Sequence, residues 1–284
     1  MGLTQFCNSI SQIRGAGHVR ASRAMVRHLI WQFRKLVNAF PVVLRLSQSR
    51  LYVDRPSGVA ALVNSLGMYD YNNMNLIKLL LNRTGTVLFD VGANIGSYTI
   101  VASETPGVVV CFEPHPAAFA SLRRNIEFNG RNNIMAINAA ASDGQKQLQL
   151  TDNAQLAVNR VVKGAGKRAN IITVQATTLD QTCRELSLRP SIVKIDVEGH
   201  EENVLDGFVE GIATVEVILI EGGERQSVRR HPALEAFAGP YYFHYGSLVF
   251  SCHHQGRTED PIFVRRSSIE KLKTMGVGFV GIQG

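Results

Sequence analysis

The sequence lacks the long apolar runs that a membrane-spanning helix requires. None of its uninterrupted apolar stretches approaches the ~18 to 20 residues needed to cross a bilayer, and the N-terminus lacks the apolar centre of a secretory signal. Met1 and Gly2 begin like a myristoylation signal, but Phe6 stands where that signal has Ser or Thr. These absences predict a soluble, cytoplasmic protein.

Cysteine is scarce and widely spaced. The four cysteines are Cys7, Cys111, Cys183 and Cys252, and no two of them form a C-x-x-C pair. This spacing argues against a zinc ribbon and against a disulfide scaffold. A chain of 284 residues buries enough apolar surface to fold without either. The cysteines therefore fit a reducing compartment.

Acidic residues are absent from the first 50 positions, which hold eight Lys or Arg. The remaining residues hold 22 basic and 23 acidic side chains, so the net charge of +7 belongs to an N-terminal arm. A nucleic-acid enzyme usually carries its basic surface around the active cleft. The charge distribution therefore disfavours nucleic acid as a partner.

The arm contains a helical period. Apolar residues recur at three- and four-residue spacing over residues 21–40, Arg23, Arg27 and Arg34 fall mainly on the other side, and Pro41 ends the segment. Three interpretations stay open: a helix packed on the domain or a partner subunit, a basic amphipathic helix on a membrane surface, or an organelle-targeting segment. We expect a basic helical arm over residues 1–50 and a second domain over residues 51–284.

The rest of the chain alternates short apolar runs with helical patterns. Such runs are typical of buried parallel strands, and their alternation with helices predicts an α/β fold with a parallel sheet covered on both faces. Two further runs, 146–151 and 171–176, alternate like an antiparallel pair. The main apolar runs cover residues 86–91, 108–112, 134–141, 192–197 and 215–220.

One glycine-rich segment is the most informative part of the chain. It runs from Asp90 to Gly96, after a strand and before a helix, and Gly92 and Gly96 allow a sharp turn that approaches a ligand closely. Glu113 ends the next strand, where an acid can accept hydrogen bonds from ribose hydroxyls. This arrangement predicts a site for a nucleoside cofactor rather than a plain turn with a surface acid.

The details of this loop favour S-adenosylmethionine over a dinucleotide. Nicotinamide and flavin sites usually show three glycines near a pyrophosphate, and here Ser97 stands at the third position. S-adenosylmethionine carries a sulfonium cation and an amino-acid head instead of phosphate. The carboxylate of Asp90 at the strand end suits those positive groups.

Several segments resemble the FkbM family of methyltransferases. They are FDVGANIGSYT, CFEPHPAAF, AAASDG, VKIDVEGHEENVLDG and VILIEGG, and they occur in the family's order over a motif core at residues 85–222. The resemblance implies a class I, Rossmann-like methyltransferase fold with a doubly wound, mostly parallel seven-stranded sheet whose last strand is antiparallel. It also implies S-adenosylmethionine-dependent methylation of a hydroxyl on a sugar, glycan, glycolipid or natural-product intermediate.

The resemblance assigns roles to seven cofactor-binding residues. Four would line the methionine and ribose of the donor, one would hold the ribose diol, and two would meet the adenine edge. In that order they are Asp90, Gly92, Asn94 and Gly96; Glu113; and Ser142 and Asp143.

Methyl transfer to an alcohol requires alignment of the acceptor oxygen and a base for its proton. The catalytic candidates are Asp196, Glu198 and His200 after the fourth strand, and Glu221 after the fifth. His200 suits a general base by its ordinary pKa, and its alternative is a surface position at a helix start. The carboxylates have structural alternatives too, as acids bonded to loop amides or at a helix N-terminus.

Asp196, Glu198 and Glu221 could converge as oxygen ligands for magnesium or calcium. Strand-end carboxylates alone do not establish a metal, so the expectation is that the site holds none. Two other functions stay open: a nucleic-acid methyltransferase, and a catalytically silent fold that keeps the cofactor site. The sequence decides neither the acceptor nor the oligomeric state.

Overall fold

The structure, a computed structural model, describes residues 19–152, 159–162, 170–253 and 260–281. The first 18 residues of the predicted arm lie outside this part of the chain. The arm helix predicted over 21–40 is confirmed as α1, and an antiparallel hairpin follows it. These elements are α1 (Ala21–Leu36), β1 (Val42–Leu46) and β2 (Ser49–Val53).

Helices and strands then alternate as the apolar runs predict. The first half of the domain contains α2 (Gly58–Leu66), α3 (Tyr71–Leu81), β3 (Val87–Val91), α4 (Ser97–Ala102), β4 (Val108–Phe112), α5 (Pro116–Phe128), β5 (Ile134–Ile137), β6 (Ala140–Ala141), β7 (Lys146–Thr151) and β8 (Ile171–Thr177).

In the second half, the described residues form shorter helices and three 3-10 turns, at Gly211–Thr214, Pro232–Leu234 and Arg266–Ser268. Its other elements are α6 (Leu179–Leu186), β9 (Ile192–Ile195), α7 (Glu201–Asp206), β10 (Val217–Ile220), α8 (Gln226–Arg229), β11 (Phe237–His244), β12 (Val249–Ser251), β13 (Ile262–Arg265), α9 (Ile269–Thr274) and β14 (Gly278–Val280).

The described residues form a nine-stranded sheet in the order β14-β12-β11-β13-β10-β9-β3-β4-β5. The five strands from β10 to β5 are parallel, and β13 is antiparallel to both of its neighbours. The predicted number of seven strands was wrong, because β12 and β14 pair beyond β11 and extend the sheet. The predicted antiparallel pair of β7 and β8 is confirmed and belongs to a separate three-stranded sheet.

The sheet is doubly wound and covered on both faces. Neighbouring residues of β3, Leu88 and Phe89, belong to different apolar clusters because successive strand residues point to opposite faces. The first cluster includes side chains of α2 and α3, and the second includes side chains of α6 and α7. The chain winds from β3 outward to β5 and returns to β9 on the other side of β3. Ligands bind open α/β sheets at such a switch point.

The hairpin of the arm is joined to the domain. The backbone N–H of Tyr52 donates to Oδ1 of Asn125 on α5 at 2.6 Å. Helix α1 lies on α2, where Asn64 donates through Nδ2 to the carbonyl of Arg27 at 2.7 Å. The predicted domain boundary at residue 50 falls inside β2. Over the residues that the structure describes, no helix is both long and apolar enough to span a bilayer.

Candidate active site

A cavity opens at the carboxyl ends of β3, β4, β9 and β10, at the switch point of the sheet. Its wall brings together eight of the eleven residues predicted for the site. The eight residues are Asp90, Gly92, Asn94, Glu113, Asp196, Glu198, His200 and Glu221. Gly96, Ser142 and Asp143 are not part of the wall.

 Seven of these wall residues belong to the glycine-rich loop or are strand-end carboxylates, and the imidazole of His200 is the eighth.

The glycine-rich loop is held between two strand ends. Gly92 has a φ of +84°, and a Cβ at this position would lie 1.8 Å from the backbone oxygen of Asp196. Its N–H and that of Ala93 donate to the carbonyl of Phe112 at 3.0 and 2.9 Å. Glycine is required here because the backbone of the loop touches the backbone that follows β9. The loop is thus fixed directly beside the acidic segment.

Glu113 lies beside the bend, as the sequence predicts. Its Oε2 accepts from the backbone N–H of Asn94 at 2.8 Å, and its Oε1 accepts from that of His115 at 2.8 Å. Burial raises the pKa of Glu113 to about 7, although both hydrogen bonds oppose the shift. Each carboxylate oxygen keeps a lone pair that can accept from a hydroxyl. The carboxyl is therefore positioned for a diol.

Asp90 is fully buried at the end of β3. Its Oδ2 accepts from Oγ1 of Thr99 at 2.6 Å, while Oδ1 has no hydrogen-bond partner among the described residues. Burial raises the pKa of Asp90, and the ammonium group of Lys194 opposes this shift. A buried carboxylate oxygen without a partner is costly unless a ligand satisfies it. This oxygen is suited to a cationic or hydrogen-bond-donating ligand.

Three carboxylates converge at the ends of β9 and β10. Oxygens of Asp196, Glu198 and Glu221 all lie within 4.8 Å of one another. Burial, followed by the charges of Asp196 and Glu198, raises the pKa of Glu221 to about 8. Burial and the same neighbouring charge of Asp196 raise the pKa of Glu198. Such a trio can hold a proton between its members, and its oxygens are also the donors that magnesium and calcium prefer.

A strained turn aims Glu198 into this group. Glu198 has a φ of +54° and Gly199 a φ of +98°, so two successive residues adopt the left-handed conformation. This conformation is uncommon for a side chain as long as glutamate. Glu201 stabilises the turn, because its Oε1 accepts from the N–H of Gly199 at 2.8 Å and its Oε2 pairs with Arg225.

Lys194 is the buried counter-charge of the carboxylates. It is 2% exposed on β9, and its Nζ lies 2.8 Å from Oδ2 of Asp196 and 4.7 Å from the ring centre of Tyr98. Burial opposes the charged form, but the carboxylates of Asp196 and Asp90 outweigh it and raise the pKa of Lys194. The lysine therefore stays charged and favours the ionised form of Asp90.

His200 is buried, so its predicted alternative as a surface residue was wrong. It immediately precedes α7, and its Nε2 lies 2.9 Å from Oγ of Ser142. The ring also forms part of the cavity wall. The hydrogen bond to Ser142 joins the acidic segment after β9 to the segment after β6.

The structure does not place three of the predicted cofactor residues on the wall. Gly96 packs against α5, where its Cβ would lie 2.7 Å from Cδ1 of Leu122. The hydroxyl of Ser142 bonds His200 and Oδ1 of Asp143, and Asp143 pairs with Lys146 at the surface. Ala139, Ala140 and Ala141 line the cavity in their place. Gly96, Ser142 and Asp143 therefore lie behind the residues that form the cavity wall.

The profile of the methyltransferase FkbM domain matches residues 90–241, more than half of the chain. The chain belongs to the FkbM methyltransferase family. The resemblance found in the sequence motifs is thereby confirmed, and the family assignment supports S-adenosylmethionine as the cofactor. The matched region contains the glycine loop, Glu113 and all three converging carboxylates.

Two curated relatives extend the family assignment. The hexuronic acid methyltransferase AglP of Haloferax volcanii is 28% identical over 150 residues, which cover 52% of this chain and 61% of AglP. The 31-O-demethyl-FK506 methyltransferase FkbM of Streptomyces tacrolimicus is 58% identical over 45 residues, 15% of this chain and 17% of that protein. The chain therefore spans less than two thirds of either relative.

Among solved structures, an rRNA methylase from Streptococcus thermophilus is 10% identical, with a TM-score of 0.42. The overlap covers 68% of this chain and 93% of the methylase. A likeness at this level carries no argument about activity.

Some residues that shape this FkbM-type site were given no role in the sequence analysis. Lys194, Tyr69 and Tyr98 line the cavity, and Asp260 lies near Asp196, whose charge adds to burial in raising the pKa of Asp260 to about 8. A signal for Lys194 exists in the sequence, because lysine is rare in a buried central strand. Asp260 lies two residues before the antiparallel strand β13, and no local pattern marks it.

Proposed function

We propose that this chain is an S-adenosylmethionine-dependent O-methyltransferase. Its acceptor is a hydroxyl of an uncharged sugar, glycan, glycolipid or natural-product intermediate. The observation that carries the proposal is the convergence of Asp196, Glu198 and Glu221 beside the bend that joins Asn94 to Glu113. The bend with Glu113 suits a nucleoside, and the three carboxylates suit removal of a hydroxyl proton. Family membership supports the same reaction class.

The buried acids fit the donor. S-adenosylmethionine supplies, when bound, a methyl group activated by its positive sulfonium. Glu113 would accept from the ribose hydroxyls, and the unsatisfied Oδ1 of Asp90 would face the positive end of the donor. Gly92 and Asn94 would line the donor with backbone groups, whereas Gly96, Ser142 and Asp143 would support the wall.

The carboxylate group would bind the acceptor and take its proton. An alcohol is a poor nucleophile until a base removes its proton, and the raised pKa of Glu221 suits proton transfer near neutral pH. We assign the proton to the pair of Glu221 and Asp196, with Glu198 orienting the acceptor. Lys194 would hold Asp196 in place through their 2.8 Å contact. His200 remains a second candidate base.

The charge of the cavity favours an uncharged acceptor. Five carboxylates line it, whereas Lys194 is the single lysine or arginine among the described wall residues. A substrate carboxylate or a phosphate backbone would be repelled by this excess of acids, because Lys194 is already paired with Asp196. For this reason we favour a hydroxyl acceptor over a uronic-acid carboxylate or a nucleic acid. A catalytically silent fold is disfavoured because the base candidates are all in place.

A labelled-donor screen tests the proposal. The purified chain is incubated with S-adenosylmethionine carrying a labelled methyl group and with three acceptor sets: neutral glycans and glycolipids, hexuronic-acid glycans, and transfer RNA. Label in the neutral set, located on a hydroxyl oxygen by mass spectrometry and lost in Glu221→Gln, is the expected result. Label on a carboxylate or on RNA would refute the hydroxyl assignment. Donor binding without any transfer would favour the silent fold.

The compartment stays a prediction. Two cysteines in the described part of the chain, Cys111 and Cys183, are buried free thiols, and Cys252 is an exposed one. Unpaired thiols fit a reducing environment such as the cytoplasm.

A further inference from the structure

Helix α1 presents its most apolar face away from the body of the protein. Only Ala24, His28 and Trp31 are buried, and they form a narrow inner face against α2. Six large apolar residues remain 46% to 83% exposed, and we call them the outer face. They are Val26, Leu29, Ile30, Phe33, Leu36 and Val37.

The outer face is one continuous stripe. At 3.6 residues per turn its six side chains cover an arc of about 120°, roughly opposite the inner face. Single exposed apolar residues are ordinary on a protein surface, but a contiguous stripe of this kind marks an interaction site. The sequence period of residues 21–40 is therefore only partly explained by packing on the domain.

Arginine borders the stripe along one edge. On the same helical wheel Arg23, Arg27 and Arg34 follow directly after the outer face. Arg20, Arg23 and Arg27 also line a shallow groove together with Val26. Neither the helix nor the rest of the first 50 residues contains an acidic side chain. The surface thus combines apolar bulk with an uncompensated positive charge.

We propose that the outer face of α1 docks on an anionic lipid surface. A helix that lies in a membrane interface buries apolar side chains at the acyl boundary while arginines reach the headgroup phosphates. This pattern matches the outer face and its arginine edge. The inference is independent of the methyl acceptor and adds an interaction surface to the proposed enzyme.

Two other occupants fit the surface less well. If the outer face met its copy in a second chain, arginine edges would approach each other with no acid in the first 50 residues to neutralise them. A nucleic acid would satisfy the arginines, but its phosphate backbone would leave six apolar side chains unburied. An anionic bilayer satisfies both the charge and the apolar stripe.

The test uses flotation of the full chain with lipid vesicles. Vesicles of phosphatidylcholine alone are compared with vesicles that contain phosphatidylglycerol, at low and high salt. Binding to the anionic vesicles, weakened by salt, is expected. Leu29→Ser with Phe33→Ser should weaken binding at least about tenfold. Arg23→Gln with Arg34→Gln should weaken it about 25-fold, since each arginine contributes about fivefold.

Matched controls come from elsewhere on the surface. Val209 is 70% exposed, and Arg229 is exposed on α8. Val209→Ser and Arg229→Gln should leave vesicle binding unchanged, and all variants should keep the thermal unfolding midpoint of the parent chain. Equal loss in the control variants would contradict a specific outer face.

Trp31 supplies an internal reporter, because it is the single tryptophan and lies on the buried inner face. If α1 docks without leaving the domain, Trp31 emission should resist quenching by brominated acyl chains. Strong quenching would show that the helix inserts its inner face, and would overturn the proposal. Absence of vesicle binding would also overturn the proposal. Self-association or RNA binding that the Leu29→Ser and Phe33→Ser pair abolishes would then identify the other occupant.

Discussion

The backbone oxygen of Asp196 occupies the space that a side chain at residue 92 would need. A Cβ on Gly92 would lie 1.8 Å from that oxygen, which is far inside van der Waals contact. The donor loop after β3 and the acidic segment after β9 are consequently in direct backbone contact. This contact brings the proposed donor-binding and acceptor-binding groups to one place.

Replacing Gly92 tests this contact. Gly92→Ala should destabilise the fold by about 3 to 5 kcal/mol, since the methyl group adds a collision to the cost of a left-handed backbone. Gly130→Ala is the matched control, because Gly130 has a φ of +59° with nothing within 4 Å of its added Cβ. It should cost about 1 to 2 kcal/mol. Urea unfolding measures both, and equal losses would show that the contact with Asp196 is relaxed in solution.

Asp90 should be required for donor binding. Asp90→Asn keeps the shape but removes the charge, and it should weaken S-adenosylmethionine binding about 10- to 100-fold, the range expected for a charge-assisted hydrogen bond. Isothermal calorimetry measures the affinity. Asp206→Asn, at a surface acid paired with His231, is the control and should bind normally. Unaltered affinity in Asp90→Asn would remove Asp90 from the donor site.

Donor affinity should depend on pH through Glu113. Its pKa is raised to about 7, so the carboxyl loses its proton as the pH rises through this value. Ribose hydroxyls donate best to the ionised form, and affinity should therefore increase from pH 6 to pH 8. Glu113→Gln should bind more weakly and lack this increase. A pH dependence that survives the substitution would assign it to another group.

Glu221 should control the rate rather than donor binding. The proton acceptor must be ionised, so kcat should rise with pH up to a midpoint at or below about 8, the value to which the pKa of Glu221 is raised. Glu221→Gln should lower kcat at least about 100-fold and flatten this limb. Donor affinity by calorimetry should change little. If His200→Gln abolishes the pH limb instead, His200 is the base.

Turnover is expected without an added metal. Treatment of the enzyme with a chelator should leave kcat unchanged, because we assign the carboxylate trio to proton transfer and acceptor binding. Loss of activity that magnesium or calcium restores would contradict this expectation. Asp196, Glu198 and Glu221 would then be the ligands to replace first, since their oxygens lie within 4.8 Å of one another.

The sequence by itself determined where the proposed donor-binding residues lie. The bend from Asp90 to Gly96 and the acid at Glu113 are local signals, because the end of a strand fixes where the following residues lie. Parallel pairing of β3 with β4 then brings Glu113 to Asn94, as expected from their spacing. The alternation of strands and helices was also readable, whereas the two added edge strands were not.

Only the tertiary structure decided how the proposed acceptor-binding residues come together and how α1 is oriented. Lys194, Asp196 and Glu221 meet because β9 and β10 pair in register, and Asp260 joins them from a distant segment. The helical period of the arm predicted a helix, but it did not tell which side packs inward. The small Ala24 and the large Trp31 belong to apolar clusters that include side chains of α2, so the more apolar side stays outside. Hydrophobic periodicity predicts that a segment is helical, whereas the fit of side chains against a neighbouring helix decides which side of it is buried.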